Sequence, residues 1–141
     1  MKAIVVKEPG GYDVLQLKNI EEPVPDINQV KIKVAYCSLN PLDTHSRAAR
    51  VSWGAPKMPY TPGYEYSGRV VEIGQGVDKN LLKKKVAVVG QWGVNAEFAI
   101  ADTKSLILIP ENIDWQISSC ISTCGPTAWH LVNSAGKVKE G

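Results

Sequence analysis

The sequence predicts a mainly β domain of barrel or sandwich type, with a few short helices near its site and its C-terminal end. Two observations predict it. Short runs rich in β-branched residues recur through the first two thirds of the 141 residues, and Gly/Pro turn signals separate them. One of those runs, Val30-Lys31-Ile32-Lys33-Val34-Ala35, alternates strictly, which marks a half-buried antiparallel strand with Val30, Ile32 and Val34 on its core face.

Taken in order, strands are expected over Lys2 to Lys7 and Val14 to Ile20, parted by Pro9-Gly10-Gly11. Pro23-Val24-Pro25-Asp26 leads into Val30 to Cys37. Ser38 or Asn40 then caps a short helix through Ala49, with Pro41 in its first turn, where a missing N–H is cheapest. The stretch Pro56 to Pro62 is a loop. Strands follow over Gly68 to Ile73, Val86 to Val89, Ala96 to Ala101 and Leu106 to Ile109. Gly74-Gln75-Gly76 reads as a hairpin turn, because no third glycine stands where a dinucleotide fingerprint needs one. Lys83-Lys84-Lys85 reads as a solvated turn. After Pro110 the texture becomes helical, in Asp114 to Cys120 and Cys124 to Val132.

Composition narrows the function classes. With 44% apolar residues the chain suits one globular domain over 1–141. Sixteen basic against 14 acidic residues leave a net charge of +2, too little to argue for nucleic acid or an anionic membrane as partner. No apolar run approaches the roughly 20 residues of a membrane span. An odd set of cysteines, Cys37, Cys120 and Cys124, and an opening on Met1-Lys2-Ala3 without an apolar leader point to a reducing cytoplasm. Cys120 and Cys124 are expected as buried small apolar residues, since two thiols without further ligands make no zinc site.

Two segments carry more information: Asn40-Pro41-Leu42-Asp43-Thr44-His45 and Thr61-Pro62-Gly63-Tyr64-Glu65-Tyr66-Ser67-Gly68. Together they resemble the active-site frame of the medium-chain dehydrogenase/reductase superfamily. The zinc-dependent members of that superfamily place metal ligands where this chain has Asn40, Tyr64 and a residue near Thr123. An amide, a phenol and a hydroxyl replace soft thiolate and imidazole donors poorly, so no catalytic metal is expected. The chain is similar to the zinc-independent quinone oxidoreductase, or zeta-crystallin-like, branch along nearly its whole length.

The resemblance implies a GroES-like β-barrel catalytic domain. It also implies a nucleotide-binding Rossmann domain as its partner, not included in residues 1–141, so that this stretch is inactive alone. The implied reaction is hydride transfer from NADPH to a quinone, enone or related activated carbonyl. The implied partners are a small-molecule substrate and the chain's own nucleotide-binding domain. Two alternatives belong to other classes: a non-catalytic GroES-like binding module, and a zinc-type alcohol dehydrogenase domain that has lost its metal.

Hydride delivery builds negative charge on oxygen, and hydrogen-bond donors are the alternative to a Lewis acid for stabilising it. Asn40 offers an amide N–H for this and lies beside the nicotinamide ribose in relatives, although helix capping is the plain alternative. Tyr64 offers a phenol, a donor at neutral pH with an ordinary pKa near ~10, or is simply a packed tyrosine. His45 matches the outer member of a proton relay, but Leu42 replaces the relay's inner hydroxyl. Thr127 matches a threonine that contacts the nicotinamide end of the cofactor. Trp53, Tyr60 and Trp92 fall in loops that border the substrate cleft in relatives, and core packing is their other role. Asp43 is expected to anchor loop backbone, and Glu65 to stand behind the site and meet basic groups. His130 reads as a surface residue of an amphipathic helix.

Overall fold

The structure is a computed structural model that describes residues 1–51, 56–89 and 92–139. Seven strands are present among them: β1 (Lys2–Val5), β2 (Gln16–Asn19), β3 (Gln29–Cys37), β4 (Glu65–Ile73), β5 (Lys85–Val89), β6 (Phe98–Asp102) and β7 (Leu106–Leu108). Helix α1 covers Pro41–Arg47, α2 Trp115–Ser118 and α3 Cys124–Trp129, the last running on as a π-helical turn over His130–Ala135.

Five of the strands form one antiparallel sheet in the order β6-β3-β4-β5-β7, and β1 pairs with β2 in a separate ribbon. That ribbon joins the sheet through Ile4 N–H to Asn95 O at 2.8 Å and Glu97 N–H to Lys2 O at 3.1 Å. A second bridge, Val6 to Tyr60, ties β1's continuation to the loop before the site. Every strand placed by the sequence is found, with ends shifted by a few residues. The largest shift is at β4, which starts at Glu65 rather than Gly68 and so makes Glu65 a strand residue.

Val30 and Ile32 are fully buried, with Val34 packed against the same cluster, as the alternation predicts. They meet Tyr66, Val70, Val86, Val88, Val94, Ala99 and Ala101 in the core between the sheet and its covering loops. Burial of such side chains contributes about 1.5–3 kcal/mol each relative to exposure.

Lys85 departs from the expected solvated turn. It opens β5, is buried, places its ammonium 4.1 Å from the centre of the Trp115 ring and donates to the Ile113 carbonyl. The apolar stem fits under the indole while the ammonium keeps a hydrogen bond and a π-face, so the charge is compensated. Lys83 and Lys84 are exposed, in keeping with the turn reading.

Gly63 is the glycine that the site requires. It adopts φ +86°, and a Cβ there would meet the Asn95 side chain and lie 2.9 Å from Val94 Cγ2. Gly63→Ala is expected to destabilise the fold by about 1–3 kcal/mol, from backbone strain plus the clash, read as a lowered chemical-denaturation midpoint.

Among the described residues no helix is long and apolar enough to cross a membrane.

Candidate functional site

Pro41 is the first residue of α1 and Asn40 its N-cap, the arrangement the sequence predicts. Asp43 closes the first turn: its Oδ2 accepts from Asn40 N–H at 2.8 Å, and its Oδ1 reaches across to Gly63 N–H at 3.1 Å. One carboxylate thereby fixes the helix start against the loop that carries Tyr64. Burial pushes Asp43 up from the ordinary carboxylate range, against the downward pull of those backbone amides.

The centre of the site is Glu65, on β4 and fully buried. Oε2 accepts from Ser38 Oγ at 2.6 Å and from Asn40 Nδ2 at 3.1 Å. Oε1 accepts from the backbone N–H groups of Thr123 at 2.6 Å and Cys124 at 3.2 Å, and lies 3.3 Å from Ser122 Oγ, whose hydrogen has a nearer acceptor in the Val88 carbonyl at 3.0 Å. The Cys124 thiol lies 3.4 Å from Oε2. The carboxylate therefore gathers the end of β3, the start of α1 and the start of α3 onto β4.

The expectation of basic partners for Glu65 is corrected by the structure: its partners are all neutral donors, and no ion pair involves it among the described residues. Burial pushes its carboxyl up, but the Ser38 and Asn40 side chains and the Thr123 and Cys124 amides outweigh that and hold it below the usual range. A lowered folded-state pKa stabilises above the unfolded value near ~4.3 and is lost as pH falls through the folded one. Wild type is therefore expected to lose stability relative to Glu65→Gln as pH is lowered from about 6 to about 3, measured by thermal melts.

Tyr64 precedes this hub and is half-buried, its ring 5.5 Å from that of Trp92. Trp92 also meets Tyr60 edge-on at 5.9 Å, so Trp92 links the two tyrosines in one aromatic wall. Tyr60 is buried, as the packing alternative for it anticipates, and its hydroxyl has no hydrogen-bond partner among the described residues. Trp53 lies outside the described residues. Burial, then the charges of Glu65 and Asp43, push the Tyr64 phenol up, so it keeps its proton at neutral pH. The Thr123 hydroxyl opposes that shift without making a hydrogen bond of good geometry to the phenol, and its Oγ1 is buried and unpartnered among the described residues.

A groove of about 530 Å³ opens beside Tyr64, lined also by Val89, Thr123, Pro126, Thr127 and Leu131. It brings together Tyr64 and Thr127, which the sequence singles out separately. His130 lines it too, exposed and with Nδ1 3.0 Å from Ser134 Oγ. His45 stands apart, exposed on α1, and its side chain joins no hydrogen-bond chain to Asn40 or Tyr64 among the described residues.

Cys120 and Cys124 also differ from expectation, since both are exposed, as is Cys37. Cys124 opens α3 at the rim of the hub, and desolvation followed by Glu65 pushes its thiol up. Ser38, Ser122 and Cys124 are site residues that sequence reading does not select. The Asn-Pro-x-Asp and Gly-x-Glu segments carry no signal for them, because they reach Glu65 only through the fold. The donor set does not fit a zinc ion: among the described residues no three His, Cys, Asp or Glu side chains converge, and both Glu65 oxygens already accept N–H or O–H groups.

The profile of the alcohol dehydrogenase GroES-like domain matches residues 26–111. The chain belongs to this family. Within it the chain falls in the zeta-crystallin-like quinone oxidoreductase branch of the medium-chain dehydrogenases/reductases. It is 33% identical to a quinone oxidoreductase of Lama guanicoe over 143 residues, covering 100% of this chain and 43% of that relative. It is 36% identical over 125 residues to an NADPH-dependent alkenal/one oxidoreductase, chloroplastic, of Arabidopsis thaliana, covering 82% of this chain and 32% of that one. The solved quinone oxidoreductase of Coxiella burnetii superposes with a TM-score of 0.88 at 31% identity, over 100% of this chain and 46% of the other. The chain thus spans less than half the length of these relatives, and their Rossmann domain lies beyond the stretch it matches.

Proposed function

We propose that this domain forms the catalytic half of a zinc-independent, NADPH-dependent oxidoreductase that transfers hydride to quinones, enones or related activated carbonyls. The observation that carries this reading is the groove beside Tyr64, where a protonated phenol borders an apolar hollow. Quinones and enones spread developing charge over several atoms, so a neutral donor suffices where a simple ketone would need a metal.

NADPH, when bound, supplies the hydride. The groove suits its nicotinamide end, since Thr127 and Thr123 line it beside Tyr64. The pyrophosphate needs a separate site, which the chain's own nucleotide-binding domain would provide, and residues 1–141 are inactive without it. Tyr64 donates its phenolic hydrogen bond to the substrate oxygen. Asp43 and Gly63 hold the Tyr64 loop in place, while Trp92 packs beside the Tyr64 ring and buried Tyr60 meets Trp92 edge-on. His45, exposed and unlinked, fits proton delivery only through solvent.

In the intact protein, NADPH oxidation by a benzoquinone or a cyclic enone should run at least ~10²-fold faster than by the matching saturated ketone. Comparable turnover of all three would remove the conjugated-carbonyl assignment.

A further inference from the structure

The orientation of the Asn40 amide carries an inference of its own. Nδ2 donates to Glu65 Oε2 at 3.1 Å and to Ser38 Oγ at 3.4 Å, so both amide hydrogens are used within the hub. Ser38 can accept because its own hydrogen goes to Glu65, at 2.6 Å. The reversed amide would set a carbonyl oxygen 3.1 Å from a carboxylate oxygen, with no hydrogen between them. Glu65 cannot turn to relieve this, because Oε1 holds the Thr123 and Cys124 amides at 2.6 and 3.2 Å. The atom of Asn40 left over is Oδ1, which meets the thiol of exposed Cys124 at 3.2 Å, and Glu65 Oε2, 3.4 Å from the same sulfur, competes for that thiol's one hydrogen. A thiol is a weak donor and easily displaced.

We infer that Glu65 is a positioning residue that locks Asn40 as a hydrogen-bond acceptor, so that this place in the site takes a hydroxyl or amide N–H of the bound ligand in exchange for the Cys124 thiol. Asn40 is then no oxyanion donor, which reverses the role the sequence suggests and leaves that task to Tyr64. The orientation stands on the hub alone, whereas the choice of NADPH as probe rests on the proposed function.

Exchanging the partners' polarity tests it. Glu65→Gln keeps a carbonyl oxygen for the two backbone amides and turns an NH₂ toward Asn40, which must reverse and present its own NH₂ outward. Asn40→Asp in that background accepts from the introduced glutamine amide and again presents an oxygen. Asn40→Asp alone sets two carboxylates together. With folding checked by melting temperature, NADPH is expected to bind Glu65→Gln about tenfold more weakly, the worth of one hydrogen bond. The Glu65→Gln/Asn40→Asp double variant should return to within about threefold of wild type, and Asn40→Asp alone should not recover.

In the intact protein selectively ¹⁵N-labelled at asparagine, the Asn40 side-chain NH₂ signals should be exchange-protected without ligand, remain so when NADPH is added, and lose protection in Glu65→Gln. A double variant no tighter than Glu65→Gln, or wild-type NH₂ signals that exchange freely, would overturn the inference. If wild type binds no NADPH, the cofactor reading fails while the NH₂ signals still decide the orientation.

Discussion

Tyr64→Phe is expected to lower kcat for enone or quinone reduction by about 10², with KM for the substrate changed much less. The substitution removes one oxygen and leaves the ring, so the 5.5 Å contact with Trp92 and the loop held by Asp43 at Gly63 both persist. The loss falls on the transition state because negative charge reaches the substrate oxygen only as hydride arrives. The phenol is fit for this role because burial, Glu65 and Asp43 all disfavour its ionised form, which keeps a donor in place throughout the neutral range. Steady-state kinetics of the purified intact protein, with melting temperature as a control, checks the split between kcat and KM. A variant with wild-type kcat would move the donor role elsewhere.

Glu65→Ala has the largest expected effect on the fold. Truncation leaves the Thr123 and Cys124 amides and the Asn40 NH₂ facing a cavity, and each buried donor left unpaired costs about 1–3 kcal/mol. Water entering the space recovers part of this, and relief of the carboxylate's own desolvation recovers more. A net loss of about 3 kcal/mol, or a melting temperature lower by roughly 10 °C, is expected for a domain of this size. Hydrogen exchange should show the damage at the start of α3 and at Ser38 before it reaches the core strands, since the cluster around Val30 and Ile32 includes none of the residues bonded to the carboxylate.

The β strands are legible because their signal is local. Period-two alternation at Val30, Ile32 and Val34 needs nothing beyond neighbouring residues, and the observed core face carries those side chains. The α1 start is legible for the same reason, as Asn40, Pro41 and Asp43 satisfy one another within one turn of helix. Lys85 escapes such a reading because its burial is rescued by Trp115 and by the Ile113 carbonyl, 28 residues away, and no charge run announces such partners. The hub is half legible. Asn40 and Glu65 stand out through the family motifs, but the direction of the Asn40 amide follows from which of its faces meets a carboxylate 25 residues on. Ser122 and Cys124 lie 57 and 59 residues from Glu65 and join it only because α3 starts against β4.

The most direct test of a metal-free site is turnover of a cyclic enone with NADPH by the intact protein before and after exhaustive chelation, with zinc measured in both samples. The expected result is the same kcat in both, no stoichiometric zinc in either, and no gain on adding zinc back. Loss of activity on chelation, restored by one equivalent of zinc per chain, would contradict it.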